Sequence, residues 1–195
     1  MKQIALPLDE IRPGIVSSLI ISSANVEAVE ALASSHTWLS HCAILCGPAR
    51  SGKTLMAEYF SGISSAGFVI DNAECVGEEA LFNAWNRAQE LKQSLLLVSR
   101  FQLSDWQIAL PDLRSRLASA ILLQVLPPDD ELISQLIQKH LADRGTVIGM
   151  DTLAYVTKRI ERSYAALEKF ARDVNAAAME QNCAVNMSMV KLFLK

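Results

Sequence analysis

Short apolar runs alternate with amphipathic segments through residues 25–125 of this 195-residue chain. Runs with an apolar residue at nearly every position are typical of strands buried on both faces of a parallel sheet. Such runs predict strands over 42–46, 67–71, 94–99 and 120–125. Apolar residues spaced three and four apart predict helices over 25–33, 51–60, 78–91 and 111–117. This alternation indicates an α/β domain whose parallel sheet is covered by helices on both faces.

The spacing between the second helix and the second strand limits the size of the sheet. Only the 16 residues 55–70 separate Thr54 from the end of that strand. A helix of about 10 residues followed by a short strand uses all of them. We therefore expect about four parallel strands, with no further strand-helix unit between these two elements.

Two consecutive prolines, Pro127 and Pro128, end the alternating pattern, because proline continues neither a helix nor a central strand. Beyond them the apolar spacing is only helical. It predicts a helix that is capped by Asp129 or Asp130 and stops at Gly145, followed by helices over 151–160, 164–180 and 188–194. We divide the chain into a tail over 1–12, an α/β domain over 13–127 and a small helical domain over 128–195.

The first predicted strand runs directly into Gly47-x-x-x-x-Gly52-Lys53-Thr54, a complete Walker A motif or P-loop. Its glycines allow a tight turn that points backbone N–H groups inward, and the next helix offers its positive end to phosphate. Lys53 is expected to reach the β- and γ-phosphates, and the Thr54 hydroxyl to reach Mg²⁺. The predicted nucleotide site comprises Gly47, Pro48, Ala49, Arg50, Ser51, Gly52, Lys53 and Thr54.

Composition and charge exclude several classes of function. The net charge of −3 argues against a surface that binds nucleic acid throughout, because that affinity depends on cations that neutralise phosphates. No stretch reaches the ~20 apolar residues that cross a bilayer, and the N-terminus lacks the apolar core of a signal peptide. The four cysteines form no CxxC pair. We therefore expect a cytoplasmic protein without a membrane partner.

A P-loop, an acid-ended strand, a polar-ended strand, an arginine and a helical lid follow one another in the order of an AAA+ ATPase. More closely, the chain resembles the Hda-like, DnaA-related AAA+ regulatory proteins of bacterial replication. The segments that carry the resemblance are 3–8 (QIALPL), 47–54, 69–74 (VIDNAE) and 110–117 (LPDLRSRL). The resemblance implies an AAA+ P-loop NTPase core with a shortened parallel sheet and a C-terminal helical lid.

The resemblance also implies two protein partners. Such a protein docks on the DNA sliding clamp and promotes hydrolysis of the ATP that is bound to DnaA. Residues 3–8 resemble a clamp-binding motif, in which Gln3 makes hydrogen bonds while Leu6 and Leu8 fill an apolar groove. Pro7 stiffens this segment and so lowers the entropy that docking removes.

Three further residues correspond to the ATP chemistry of these relatives. Asp71 corresponds to the Walker B aspartate that holds Mg²⁺. Asn72 follows where hydrolysing relatives usually carry an acid, and Glu74 lies two positions further on. Ser99 ends its strand at the position of the polar sensor 1 residue. Arg116 matches the arginine finger, which reaches the γ-phosphate in a neighbouring subunit.

The helical domain departs from the pattern of these relatives. Ala165 stands where they carry the sensor 2 arginine, and Arg162 lies nearly one turn earlier, where it could replace part of that contact. Together with Asn72, this departure predicts weak intrinsic ATPase activity at most. ADP is the expected resident ligand, with ATP as the other candidate and Mg²⁺ as the metal.

The resemblance implies little or no direct sequence-specific binding of DNA. The missing strand-helix unit leaves no room for the helical insertion that initiators use on DNA, and nothing after Lys195 supplies a helix-turn-helix. A homodimer formed through the clamp-binding ends is compatible with the resemblance.

Three other functions fit parts of the sequence. The first is an autonomous AAA+ ATPase that acts in replication initiation or loading, against which Asn72 and Ala165 argue. The second is a P-loop kinase for a small molecule, although the helical third lacks an arginine-rich phosphate lid. The third is a binding module whose P-loop is vestigial.

Overall fold

The computed structural model describes residues 19–64 and 67–194. The chain divides into two units, an α/β unit that includes residues 25–126 and a helical unit that includes residues 127–195. Residues 22–24 group with the helical unit. The predicted clamp-binding residues Gln3, Leu6, Pro7 and Leu8 lie outside the described residues, as does the rest of the 1–12 tail.

The α/β unit is built on one parallel sheet. Its strands are β1 (Cys42–Cys46), β2 (Phe68–Ile70), β3 (Leu95–Ser99) and β4 (Ile121–Gln124), in the order β2-β3-β1-β4. The helices described in this unit are α1 (Val26–Ala33), α2 (Lys53–Ile63), α3 (Glu78–Leu91) and α4 (Pro111–Ala118). The expectation of a four-stranded parallel sheet is confirmed.

The two central strands are the most buried elements of this unit. Every residue of β1 and β3 is buried, whereas Ile121 and Leu122 on the edge strand β4 are exposed. Alternate side chains of β1 and β3, including Ile44 and Leu97, pack on one face against residues of α3 and α4. Both faces of the central strands are therefore covered, which explains why they read as continuous apolar runs.

The helical unit comprises α5 (Asp130–Ala142), α6 (Met150–Thr157), α7 (Tyr164–Glu180) and α8 (Met187–Phe193). All four helices contribute to one apolar core, which includes Ile137, Val156, Phe170 and Val190. Side chains cap three of the helices, because Asp129, Ser163 and Asn186 each accept a hydrogen bond from a backbone N–H of the first turn.

The helix boundaries agree with the sequence pattern at some ends and differ at others. Helices α3 and α7 have the predicted bounds. Helix α2 begins at Lys53 rather than at Ser51, because Gly52 adopts a left-handed φ of 84° that a helix does not contain. Helix α6 begins at Met150 and ends at Thr157, shorter than predicted at its C-terminal end.

Candidate nucleotide site

The P-loop connects the end of β1 to the start of α2, and it needs glycine at two positions. A Cβ atom added to Gly47 would lie 2.8 Å from Cβ of Val125, which follows β4. Gly52 has a φ of 84°, where other residues are strained. Position 47 therefore requires glycine because of close packing, and position 52 requires it because of the backbone conformation.

The side chain of Lys53 folds back over the loop. Lys53 is buried, with 9% exposure, and its Nζ donates to the carbonyl oxygens of Gly47 at 2.8 Å and Pro48 at 2.7 Å. Burial lowers the pKa of Lys53, and the positive charge of Arg100 lowers it further, whereas two nearby carboxylates act in the opposite direction. The ammonium group is thus held against the backbone of the loop, whose motif is the one that binds phosphate in P-loop proteins.

The backbone N–H groups at the N-terminus of α2 are not capped by a side chain. The first N–H groups of a helix have no partner within the helix, and no side chain caps α2. The hydroxyl of Ser51 is buried and has no hydrogen-bond partner among the described residues. Thr54, at the second position of α2, is exposed. These groups fit the phosphates of a nucleotide, which accept hydrogen bonds and favour a positive helix end.

Two carboxylates lie at the carboxyl end of β2. Asp71 directly follows the strand and is exposed, and it accepts a hydrogen bond from the N–H of Asn72 at 2.7 Å. Glu74 lies on a short 3₁₀ turn, where its Oε1 accepts a hydrogen bond from the N–H of Arg100 at 3.2 Å. The other oxygen of Glu74 is buried without a hydrogen-bond partner.

Asp71 and Thr54 are the residues that would hold Mg²⁺. In the described parts of the chain, no three His, Cys, Asp or Glu side chains come together as a metal site. A magnesium ion bound by one carboxylate, one hydroxyl and the phosphates of the ligand needs no such cluster.

Ser99 ends β3 beside the P-loop, but its hydroxyl is engaged within its own loop. Its Oγ donates to the carbonyl oxygen of Phe101 at 2.9 Å and accepts hydrogen bonds from Phe101 N and Trp106 Nε1. A hydroxyl has a single proton. Contact between that proton and a phosphate would therefore require this loop to rearrange.

Several solved structures share this arrangement of elements. Domain III of the Thermotoga maritima replication initiation protein DnaA is 14% identical, over 94% of this chain and 97% of that one, with a TM-score of 0.77. Replication initiator DnaA bound to AMPPCP and single-stranded DNA is 12% identical, over 89% of this chain and 70% of that one, with a TM-score of 0.69. The Thermotoga maritima RuvB Holliday junction branch migration motor is 16% identical, over 87% of this chain and 68% of that one, with a TM-score of 0.61.

No protein-family model and no curated protein matches the chain. Likeness at identities of 12–16% establishes a fold rather than an activity. The chain has the AAA+ P-loop ATPase fold. In this fold β1 leads into the P-loop, and Asp71 and Ser99 lie at the ends of β2 and β3.

The candidate arginine finger, Arg116, is packed against α3. Its guanidinium carbon is 4.5 Å from the ring centroids of both Phe82 and Trp85. Its Nε and Nη2 each lie 3.0 Å from a carboxylate oxygen of Asp112, and its Nη1 donates to Asn86 at 2.6 Å. The side chain remains 27% exposed. Sequence reasoning missed this set of contacts, which forms only when α3 and α4 pack together.

The other predicted lid residue, Arg162, belongs to the helical unit. Its Nη2 lies 2.6 Å from Oδ1 of Asp130, and both side chains are exposed. Ala165, at the sensor 2 position of the AAA+ pattern, is exposed in the first turn of α7. The described contact of Arg162 is therefore an ion pair within its own unit.

Sequence reasoning also missed the proximity of Arg100 to the candidate site. Its charge reaches Lys53, and its N–H is bound by Glu74. The available signal was its position, immediately after the polar end of a predicted central strand.

No helix among the described residues has both the length and the apolar character needed to span a membrane.

Proposed function

We propose that this protein is a DnaA-related AAA+ regulatory adaptor. It binds an adenine nucleotide, with ADP as the resident ligand, and Mg²⁺ at the P-loop, Thr54 and Asp71. It docks on the DNA sliding clamp through residues 3–8 and presents Arg116 to ATP bound by DnaA. The hydrolysis of that ATP restrains replication initiation. The likeness to DnaA domain III supports the replication context.

The observation that carries this proposal is the state of Arg116. Three of its five N–H groups are used, all by side chains of its own unit, and the side chain stays partly exposed. Asp112, its ion-pair partner, is 63% exposed, and exposed pairs of this kind contribute about 0–1 kcal/mol. A phosphate group can compete for the guanidinium at such a weak pair, so Arg116 is available to a partner's nucleotide.

The test replaces Arg116 with lysine and measures hydrolysis of DnaA-bound ATP in the presence of clamp-loaded DNA. Lysine keeps the positive charge but loses the planar guanidinium, which lies over the rings of Phe82 and Trp85. Arginine fingers contribute about 10³–10⁵ in rate, so we expect Arg116→Lys to lower stimulated hydrolysis on the order of 10²-fold or more.

The matched control is Arg114→Lys on the same helix. Arg114 donates to the carbonyl oxygen of Ile108, and its substitution should leave stimulation close to that of the wild type. Wild-type stimulation by Arg116→Lys would exclude the finger role.

The proposed docking through residues 3–8 is tested in a pull-down on the clamp. Equal capture of the wild type, Gln3→Ala and Leu6→Ala would exclude this docking.

One observation favours the autonomous AAA+ ATPase as a second candidate. The buried, unpartnered oxygen of Glu74 supplies a carboxylate that Asn72 cannot. The same assay without DnaA, comparing the wild type with Glu74→Gln, distinguishes the two functions. Glutamine keeps an acceptor for the N–H of Arg100 but is no base, so measurable turnover that it abolishes would favour this candidate.

A further inference from the structure

Arg100 lies where the two central strands end beside the P-loop. Cys46, the last residue of β1, pairs with Ser99, the last residue of β3. Gly47 and Arg100 are the residues that directly follow these two paired strand ends. The side chain of Lys53 is anchored on the carbonyl oxygen of that same glycine. The pairing of β1 with β3 thus places Arg100 and Lys53 at one end of the sheet.

The backbone of Arg100 is fixed, whereas its side chain is unengaged. Its N–H donates to Glu74 Oε1 at 3.2 Å, which ties this residue to the turn after β2. Arg100 is exposed, and its guanidinium has no hydrogen-bond or ion-pair partner among the residues that the structure describes. A fixed backbone with an uncommitted cation is suited to an external anion.

The charges around Lys53 favour the same interpretation. Of the charged groups that act on its pKa, Arg100 has the largest effect, and it opposes the carboxylates Asp71 and Glu74. Two cations that repel each other are both stabilised when a multivalent anion binds between them. A polyphosphate is such an anion, and the planar guanidinium of arginine binds phosphate oxygens in pairs.

We propose that Arg100 is a second phosphate-binding cation of the nucleotide site and contacts the polyphosphate chain beside Lys53. This inference rests on the proposed nucleotide binding. Arg100 would also supply a hydrogen-bond donor to phosphate, which Ser99 and Ala165 do not. The hydroxyl proton of Ser99 is directed to Phe101 O, and Ala165 stands where an arginine would extend from the lid.

Isothermal titration of the full chain with ADP and with ATP, in the presence of Mg²⁺, tests the role of Arg100. A charge-assisted hydrogen bond contributes about 1.5–3 kcal/mol, so we expect Arg100→Gln to raise the Kd of both nucleotides about 10-fold or more. The melting temperature should not change, because the guanidinium contacts no described residue.

Arg87→Gln is the matched control. It removes the same charge from the same unit, but Arg87 lies over the ring of Phe68 at the opposite end of β2. The Kd values of Arg87→Gln should stay within about 2-fold of the wild-type values, since an exposed charge at the other end of the strand is screened by solvent and salt. An Arg100→Gln protein that binds as tightly as Arg87→Gln would overturn the assignment of Arg100.

Lys53→Ala separates this inference from the proposed function. If the wild type binds and Lys53→Ala does not, the nucleotide site is sound, and the result for Arg100→Gln decides the role of Arg100 alone. If the wild type binds neither ADP nor ATP, the proposed function and the role of Arg100 fail together.

Discussion

Gly47 shows how strongly a single position can be constrained. An added Cβ atom would lie 2.8 Å from Cβ and 2.9 Å from the carbonyl oxygen of Val125. Because one of these atoms belongs to the backbone, relief requires the P-loop or the chain after β4 to move. Overpacking of this kind destabilises by about 1–3 kcal/mol.

We therefore expect Gly47→Ala to lower the free energy of unfolding by about 1–3 kcal/mol in urea denaturation. Gly77→Ala is the control, because no atom lies within 4 Å of its added Cβ. Gly77 precedes α3 as its N-cap, where alanine should cost less than about 1 kcal/mol. Equal losses in the two variants would show that packing against Val125 does not select this glycine.

Residues of the site differ in how far the sequence could predict them. The P-loop residues are contiguous, so their motif is visible without a structure. Arg100 is not part of any local motif, and its position at the same end of the sheet as the P-loop depends on the pairing of β1 with β3. The aromatic contacts of Arg116 likewise depend on the packing of α4 against α3, which the spacing of apolar residues does not specify.

At the scale of elements, the helices of the two units begin differently. None of the four described helices of the α/β unit has a side-chain hydrogen bond at its N-cap, whereas Asp129, Ser163 and Asn186 cap helices of the helical unit. At α2 the lack of a side-chain cap leaves the helix end open to the phosphate of the proposed nucleotide. The caps of the helical unit serve its stability.

Asp129 offers a test of this contribution. Its Oδ1 accepts a hydrogen bond from the N–H of Leu132 at 2.7 Å, and its other oxygen accepts one from the hydroxyl of Ser23. We expect Asp129→Ala to lower the free energy of unfolding by about 1 kcal/mol in urea denaturation.

The neighbouring variant, Asp130→Ala, is the control, because it removes only an exposed ion pair with Arg162 and an acid in the first turn of α5. Asp130→Ala should lower the free energy of unfolding by less than half as much as Asp129→Ala does. A greater loss for Asp130→Ala than for Asp129→Ala would contradict the role of the cap.

Helix boundaries were predictable where apolar periodicity and a capping residue coincide. The bounds of α7, which Ser163 caps, satisfy this condition, whereas the bounds of α3 were predicted from the apolar periodicity alone. The start of α2 was not predicted correctly, because the left-handed conformation of Gly52 is set by the loop and not by the apolar pattern. The four-stranded sheet was predictable from chain length, since too few residues separate the P-loop from β2 to hold another strand and helix.

At the scale of the whole molecule, nucleotide binding should be visible as stabilisation. A ligand that binds only the folded protein stabilises it by about 2.7 kcal/mol at 100 times its Kd. For a chain of this length, that corresponds to a rise in melting temperature of about 5–10 °C.

We therefore expect the melting temperature of the full chain to rise when ADP and Mg²⁺ are added, and to fall again when both are removed by dialysis. Lys53→Ala should melt at the same temperature with and without ADP. An equal rise in that variant would show that ADP binds elsewhere.

The fold of the whole molecule was the most predictable property, since the P-loop and the alternation of strands and helices are both present in the sequence. The identity of its partners was not predictable in the same way. The surroundings of Arg116, which the proposed contact with DnaA would use, form only when α3 and α4 pack together, whereas the P-loop motif is eight consecutive residues.

The edge of the sheet also bears on self-association. In the described part of the chain β2 lies at the border of the sheet, and a border strand is a template on which other chains can add in aggregation. This strand is only three residues long, and the guanidinium of Arg87 lies 5.7 Å from the centroid of the Phe68 ring. Short length and a nearby charge both discourage edge-to-edge growth. The described sheet thus exposes little along this border that another chain could extend.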